Sequence, residues 1–522
     1  MTASPKLSPL GLEDYLKTLQ AGVHMLGALQ NAAAGMTRYQ SDFLIPYLLS
    51  TVYFQQAEQE KLAASPPRET LQAYTQLGLQ NLDLIGRAMN GITEAALRWA
   101  EMSLGGTRTA AAATFASGDL RPLLDNLKQQ ADLTALMAWG YPQAIEDIGA
   151  EYGFHFEREP HALVEETDRF GLYRVAPTWS GVETRFDRKP ILIVPPYVLG
   201  ANILGFLPGE DRSYAHCFAN RGIPTYIRIL KDIAVCEPLQ TMSAEDDTRD
   251  TRRFCETLHR MHGRPVTLNG YCQGGFNALC ALLSGELDGL VDAFITCVSP
   301  MDGTRSTGLS GFLERLPERF NDLAYGTKTL PNGNRVADGR LMGWVYKLKS
   351  IESESPAAAC LRDLTMLHRT GGDPTKISKT AAALNHWLAN ERNDLPLAIT
   401  QMSFASYNTP IAEDGTLPVR LFGRALNLKR IKEMKLPWLI CYGIHDDLVE
   451  KETALAPLDF VPAEVTPFPK GHVAIATSWS DPNSACALHT RFGDGDYRGP
   501  VRFQLDLDAE GTPAVDPPPG DV

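Results

Sequence analysis

The stretch Val266-Thr267-Leu268-Asn269-Gly270-Tyr271-Cys272-Gln273-Gly274-Gly275-Phe276-Asn277-Ala278-Leu279 decides how the rest of this chain is read. A β-rich apolar run enters, a Gly-x-Cys-x-Gly-Gly turn follows, and a helical run leaves. That is a nucleophile elbow with Cys where Ser is commoner. The turn is so tight that the nucleophile's backbone is strained, and the small residues two before and two after it, Gly270 and Gly274, keep strand and helix from colliding; Gly275 is the third glycine of the elbow. At a helix N-terminus the positive end of the dipole favours thiolate over thiol. The backbone N–H of Gln273, next along, would point at the oxyanion of an acyl adduct. The bland alternative is a buried cysteine beside a glycine turn; the strand before and the helix after favour the elbow.

A thiol nucleophile needs a base and an acid to orient it, and after an elbow of this kind they follow in the order nucleophile, Asp, His. Leu436-Pro437-Trp438-Leu439-Ile440-Cys441-Tyr442-Gly443 reads as a late strand, followed by Ile444-His445-Asp446-Asp447-Leu448-Val449. Anchoring on Leu448-Val449 selects Asp446 over Asp447. Phe468-Pro469-Lys470-Gly471-His472-Val473 then places a histidine on a loop before a short helical run. A neutral His472 could take the Cys272 proton while Asp446 sets its tautomer. His445 competes, but it shares a loop with the acid and would have to fold back on it. A second oxyanion donor should follow an early strand, and Ile191-Leu192-Ile193-Val194-Pro195-Pro196-Tyr197-Val198 offers the Val198 N–H.

Outward from these motifs the chain divides by pattern. Residues 1–170 are expected to form a helical N-terminal domain: Leu12, Tyr15, Leu16, Leu19, Val23, Leu26 and Leu29 recur at helical spacing, as do Leu71, Tyr74, Leu82, Ile85, Met89 and Ile92. Ser65-Pro66-Pro67 separates the two runs. These stripes are expected to pack on the rest of the chain; a lipid or polymer surface or a partner subunit is the alternative, and few basic residues line them for an anionic membrane. From about 171, runs at 191–194, 225–229, 266–268, 294–298, 438–442 and 464–468 alternate with helical stretches, predicting an α/β doubly wound, mostly parallel sheet. With the elbow, that is the α/β-hydrolase fold. Residues 171–304 and 431–505 would be the two parts of the core. The irregular stretch 305–430, with helical 377–390 and irregular 326–338, would be a cap or lid insertion. Residues 506–522, acidic with three consecutive prolines, would be a disordered tail.

Composition narrows the classes. Of 522 residues, 44% are hydrophobic and 21% charged, which excludes wholesale disorder and a fibrous rod. With 49 basic and 62 acidic residues the net charge is −13, and without a basic stripe nucleic acid is not an expected partner. The start has no basic then apolar pattern of a secretory signal, and no run reaches the ~18–20 apolar residues of a membrane span. Nine cysteines without C-x-x-C pairs suit a reducing cytoplasm rather than a disulfide framework or zinc site. No metal or redox cofactor is expected, since H-E-x-x-H, a Walker loop and a helix-opening Gly-x-Gly-x-x-Gly are all missing.

Three motifs together resemble the polyhydroxyalkanoate synthases, cytoplasmic enzymes that polymerise (R)-3-hydroxyacyl groups from coenzyme A thioesters into storage polyester. Gly270-Tyr271-Cys272-Gln273-Gly274-Gly275 is similar to that family's Gly-Tyr-Cys-x-Gly-Gly box, Pro195-Pro196-Tyr197 to its Pro-Pro-Trp, and Asp446-Asp447-Leu448-Val449 with Gly471-His472-Val473 to its acid and histidine motifs. The segment from Val419 to Ile431 also resembles the one preceding the family's acid-bearing strand. The likeness covers roughly 185–480. Tyr197 for Trp, Asp447 for His and Phe276 for a small residue are departures that bear on substrate and polymerisation more than on the triad.

The resemblance implies an acyltransferase: Cys272 takes the acyl group, coenzyme A leaves, and His472 with Asp446 activates the next 3-hydroxyl. It implies an acyl-coenzyme A substrate, a polyester product, homodimers and association with a granule surface, with the 305–430 insertion excluding water. The rival reading is a thioesterase or esterase using the same Cys–Asp–His triad. A third is a non-enzymatic scaffold or granule protein that kept the fold, against which an intact ordered triad argues.

Overall fold

The computed structural model describes residues 12–63, 65–158 and 160–510. The reading of the chain's start, and residues 511–522 of the expected tail, lie outside the described residues. Residues 506–510, expected in that tail, instead end a helix, Pro500–Glu510. The chain forms two compact units. One runs to Gly149 and takes in Gly343–His386; the other comprises Ala150–Met342 and everything from Trp387. The stretch 305–430 is therefore not one insertion: its middle belongs with the N-terminal helices and its flanks with the core.

The helical unit is built on α1 (Leu12–Leu62), α2 (Pro67–Ser117) and α3 (Arg121–Ala135). Pro66, in extended conformation, caps α2, and Pro67 occupies the first helical turn, where a missing N–H costs nothing. Gly118 closes α2 in the left-handed region, its N–H on the Thr114 carbonyl. Tyr39, Leu133, Met137 and Tyr141 pack with Leu364 and Leu367 of the helix Pro356–His368. The Tyr39 hydroxyl donates to Asp363 at 2.6 Å. Most of the apolar stripe residues do not pack as expected, although Ile92 is half-buried; the side chains of Leu12 and Tyr15 lie outside those described. Leu16, Leu19, Val23, Leu26 and Leu29 on α1, and Leu71, Leu82, Ile85 and Met89 on α2, are each more than half exposed. Among the described residues no helix is long and apolar enough to cross a membrane.

The second unit holds an eight-stranded sheet. Its strands are β1 (Ala162–Glu166), β2 (Phe170–Val175), β3 (Ile191–Val194), β4 (Thr225–Leu230), β5 (Val266–Tyr271), β6 (Val291–Cys297), β7 (Trp438–Gly443) and β8 (Glu464–Phe468). They lie in the order β1-β2-β4-β3-β5-β6-β7-β8. β1 and β2 enter as antiparallel strands, and the six from β4 to β8 are parallel. This mostly parallel sheet, with a strand-turn-helix elbow leaving β5, is the α/β-hydrolase fold. β3 and β5, at its centre, are buried at every position, as parallel strands covered on both faces must be. Three helices matter for the site: α4 (Ala244–His262), α5 (Gln273–Ser284) and α6 (Leu397–Asn408).

Two expectations are corrected here. The core begins before 171, because β1 already pairs in the sheet. The stretch 326–338, read as irregular, contains a small antiparallel hairpin of Thr327–Thr329 with Arg335–Ala337.

Candidate active site

β5 runs directly into Cys272, whose backbone is held at φ 50° and ψ −128°. Such a positive φ is costly for a residue with a Cβ, and it persists only because the surroundings enforce it. The Cys272 N–H donates to the Cys297 carbonyl at 2.8 Å, and its own carbonyl accepts from Gly275 at 2.9 Å. The glycines are required by space. A Cβ on Gly270 would sit 2.2 Å from the Gly275 backbone, and one on Gly274 would sit 2.3 Å from the Val194 carbonyl oxygen. Gly274 thus lets α5 abut the end of β3, which sets the Pro195–Val198 loop beside the elbow. On Gly275 a Cβ would strike the Ser299 side chain.

The loop after β7 supplies Asp446. One carboxylate oxygen, Oδ1, accepts the backbone N–H groups of Leu448 and Val449, both at 2.9 Å. Oδ2 accepts from His472 Nδ1 at 2.8 Å. That leaves His472 Nε2 as the ring nitrogen not engaged by Asp446. It is buried without a fully aligned hydrogen bond, and the Cys272 thiol is near enough to act on the ring's titration. Burial opposes charge on this imidazole, but the Asp446 carboxylate, and Cys272 with it, hold its pKa well above the usual value. Asp447 and His445 are exposed. The structure therefore brings Cys272, His472 and Asp446 together and leaves both competitors outside. Tyr271 adds a tie: its buried hydroxyl donates to the His472 carbonyl at 3.0 Å.

Of the two expected oxyanion donors, Gln273 begins α5. Its side chain, which the motif gave no reason to single out, donates to Ser403 on α6. Val198 is buried, and its carbonyl accepts from the Asn393 N–H at 3.0 Å. Tyr197, one of the departures from the synthase pattern, is an anchor. Its hydroxyl donates to Asp247 at 2.7 Å and accepts from Arg228, and these two form a buried ion pair at 2.7 Å. Phe276 is buried within α5. Among the described residues no cluster of three or more His, Cys, Asp or Glu side chains is placed to hold a metal. Ser403 and Asn393 lie more than a hundred residues from the elbow, and nothing local in the sequence marks them.

No family model matches this chain, and no curated protein matches it. Among solved structures it is similar to the thioesterase domain of the curacin biosynthetic pathway: 13% identity, 61% of this chain and 95% of that one, TM-score 0.34. It is similar also to naproxen esterase (carboxylesterase NP) from Bacillus subtilis, at 11% identity over 64% of this chain and 92% of that one, TM-score 0.32. A monoacylglycerol lipase from Paleococcus ferrophilus matches at 11% identity over 64% and 98%, TM-score 0.34. Strand order and the elbow define the fold.

Proposed function

We propose that this chain is a cysteine-dependent hydrolase of acyl thioesters or esters, working through an acyl-Cys272 intermediate. The observation that carries the reading is the buried His472–Asp446 pair, with its free nitrogen beside a cysteine on a strained elbow. His472 takes the thiol proton, and the Cys272 thiolate attacks the acyl carbonyl. The tetrahedral oxyanion is met by the Gln273 and Val198 N–H groups. The leaving thiol or alcohol departs with the proton held on His472, leaving acyl-Cys272. His472 then accepts a proton from water, whose attack releases the acid and restores the thiol. No cofactor enters these steps.

A second reading, polymerisation of (R)-3-hydroxyacyl-coenzyme A, is favoured by the Gly270–Gly275 box itself. Exchange of a thioester onto a thiol is nearly isoenergetic, which suits reversible loading of a growing chain. In that case the acceptor is the 3-hydroxyl of the next substrate rather than water. The two are separated by incubating purified protein with 3-hydroxybutyryl-coenzyme A and following coenzyme A release and acyl products together. Release with monomeric hydroxy acid is the expected result. Oligomeric ester would replace hydrolase by synthase, and release that persists in Cys272→Ala would overturn both.

A further inference from the structure

The loop that follows β3 is held in an unusual way. Three consecutive carbonyls accept hydrogen bonds from one short segment, 387–393: Tyr197 O from Asn393 Nδ2 at 3.2 Å, Val198 O from the Asn393 N–H at 3.0 Å, and Leu199 O from Trp387 Nε1 at 2.9 Å. Just beyond, Asn202 donates to Glu391 of the same segment at 2.6 Å. Buried carbonyls outside a sheet need partners, so part of this is ordinary satisfaction of the backbone. The asymmetry goes further. The N–H groups of Val198 and Leu199 donate to no acceptor among the described residues, although both residues are buried.

In a trans peptide the carbonyl and the N–H point in opposite directions. Fixing the Tyr197 carbonyl on Asn393 therefore turns the Val198 N–H to the other side of the loop. The Tyr197 side chain is tied at its far end to Asp247 and Arg228, so this residue is held through its side chain as well as its carbonyl. Gly274 of the elbow abuts the start of this loop, with room for no Cβ between them.

We propose that Asn393 and Trp387 are positioning residues, which act through the Tyr197–Leu199 backbone to aim the Val198 N–H at the acyl oxyanion. The proposal rests on the acyl-Cys272 reading and adds the device that preorganises one half of its oxyanion hole. Neither residue touches substrate. Their contribution is orientation, which matters because a donor stabilises a developing charge only if already aimed at it. Asn393 is exposed, so Asn393→Asp keeps the shape and the backbone bond to Val198 while removing the donation to Tyr197. Trp387→Phe removes the donation to Leu199 and keeps the aromatic body.

The test compares two reactions of the same thiol in the full-length protein. Acylation by p-nitrophenyl butyrate builds an oxyanion. Alkylation by iodoacetamide is a displacement at saturated carbon and builds none. Asn393→Asp is expected to slow Cys272 acylation about tenfold to a hundredfold, in kcat rather than KM, with alkylation within about twofold of wild type. Trp387→Phe is expected to show the same split to a smaller degree. Unchanged acylation in both variants overturns the proposal and leaves the nucleophile reading standing. Equal loss of acylation and alkylation also overturns it, since that is the mark of a damaged elbow. A wild-type Cys272 that alkylates but is never acylated by p-nitrophenyl butyrate or an acyl-coenzyme A overturns the acyl-enzyme reading, and the proposal with it.

Discussion

At the scale of the residue, the site is a set of constraints that converge on one thiol. Cys272 is pinned at positive φ between the Cys297 carbonyl and the Gly275 N–H, and the three glycines around it stand where any Cβ would collide with a neighbour. These features were legible because an elbow is local: a strand, a turn and a helix within fourteen residues. The acid was harder, since Asp446 and Asp447 are adjacent. Of the two, Asp446 is the one that meets the histidine: two N–H groups hold one of its oxygens and leave the other for His472. Asp446→Asn is expected to reduce kcat/KM about a thousandfold or more, whereas Asp447→Asn stays within about twofold. It also removes one of the two groups that, against burial, together hold the His472 pKa up, so the imidazole loses its proton at lower pH than in wild type. Equal activity of the two variants, measured on one acyl ester, would contradict this.

Elements reach the site from farther apart, and here less could be read. Three of the parallel strands, at 191–194, 266–268 and 294–298, announced themselves as apolar runs closed by Pro or Gly. β1 did not, because its partly exposed, bulged edge carries no clean alternation. The segment 387–393 overlaps the helical run 377–390, but nothing in it pointed to the site: its value lies in which carbonyls it meets after the chain has folded back by almost two hundred residues. One of its members gives this contact a pH dependence. Burial against Gly200 and Tyr152 lifts the Glu391 carboxyl from 4.5 to about 7, although Asn202 and Arg392 favour its ionised form. A folded value above the unfolded one stabilises fully below the unfolded value and is lost as pH rises through about 7. Glu391→Gln is therefore expected to gain on wild type by up to about 3 kcal/mol between about pH 5 and about pH 8. Urea unfolding at the two pH values measures it, and parallel losses in both proteins would contradict it.

For the whole molecule, composition excluded much and specified little. A net charge of −13 and 44% hydrophobic residues suit many enzymes. The division into units was only half legible. Two long helices could be read from their periodicity, but not that 343–386 would complete their core through Leu364 and Leu367, because that partnership is discontinuous in sequence. Nor did the periodicity tell a stripe that packs from one that faces solvent. One cysteine among nine, Cys272, is expected to carry the acyl group during turnover. Rapid mixing with butyryl-coenzyme A, an acid quench and mass measurement of the whole chain and its peptides test this. A single butyryl adduct is expected on the peptide containing Cys272, formed before product and missing in Cys272→Ala. Turnover with no adduct, or with the acyl group on another residue, would contradict it.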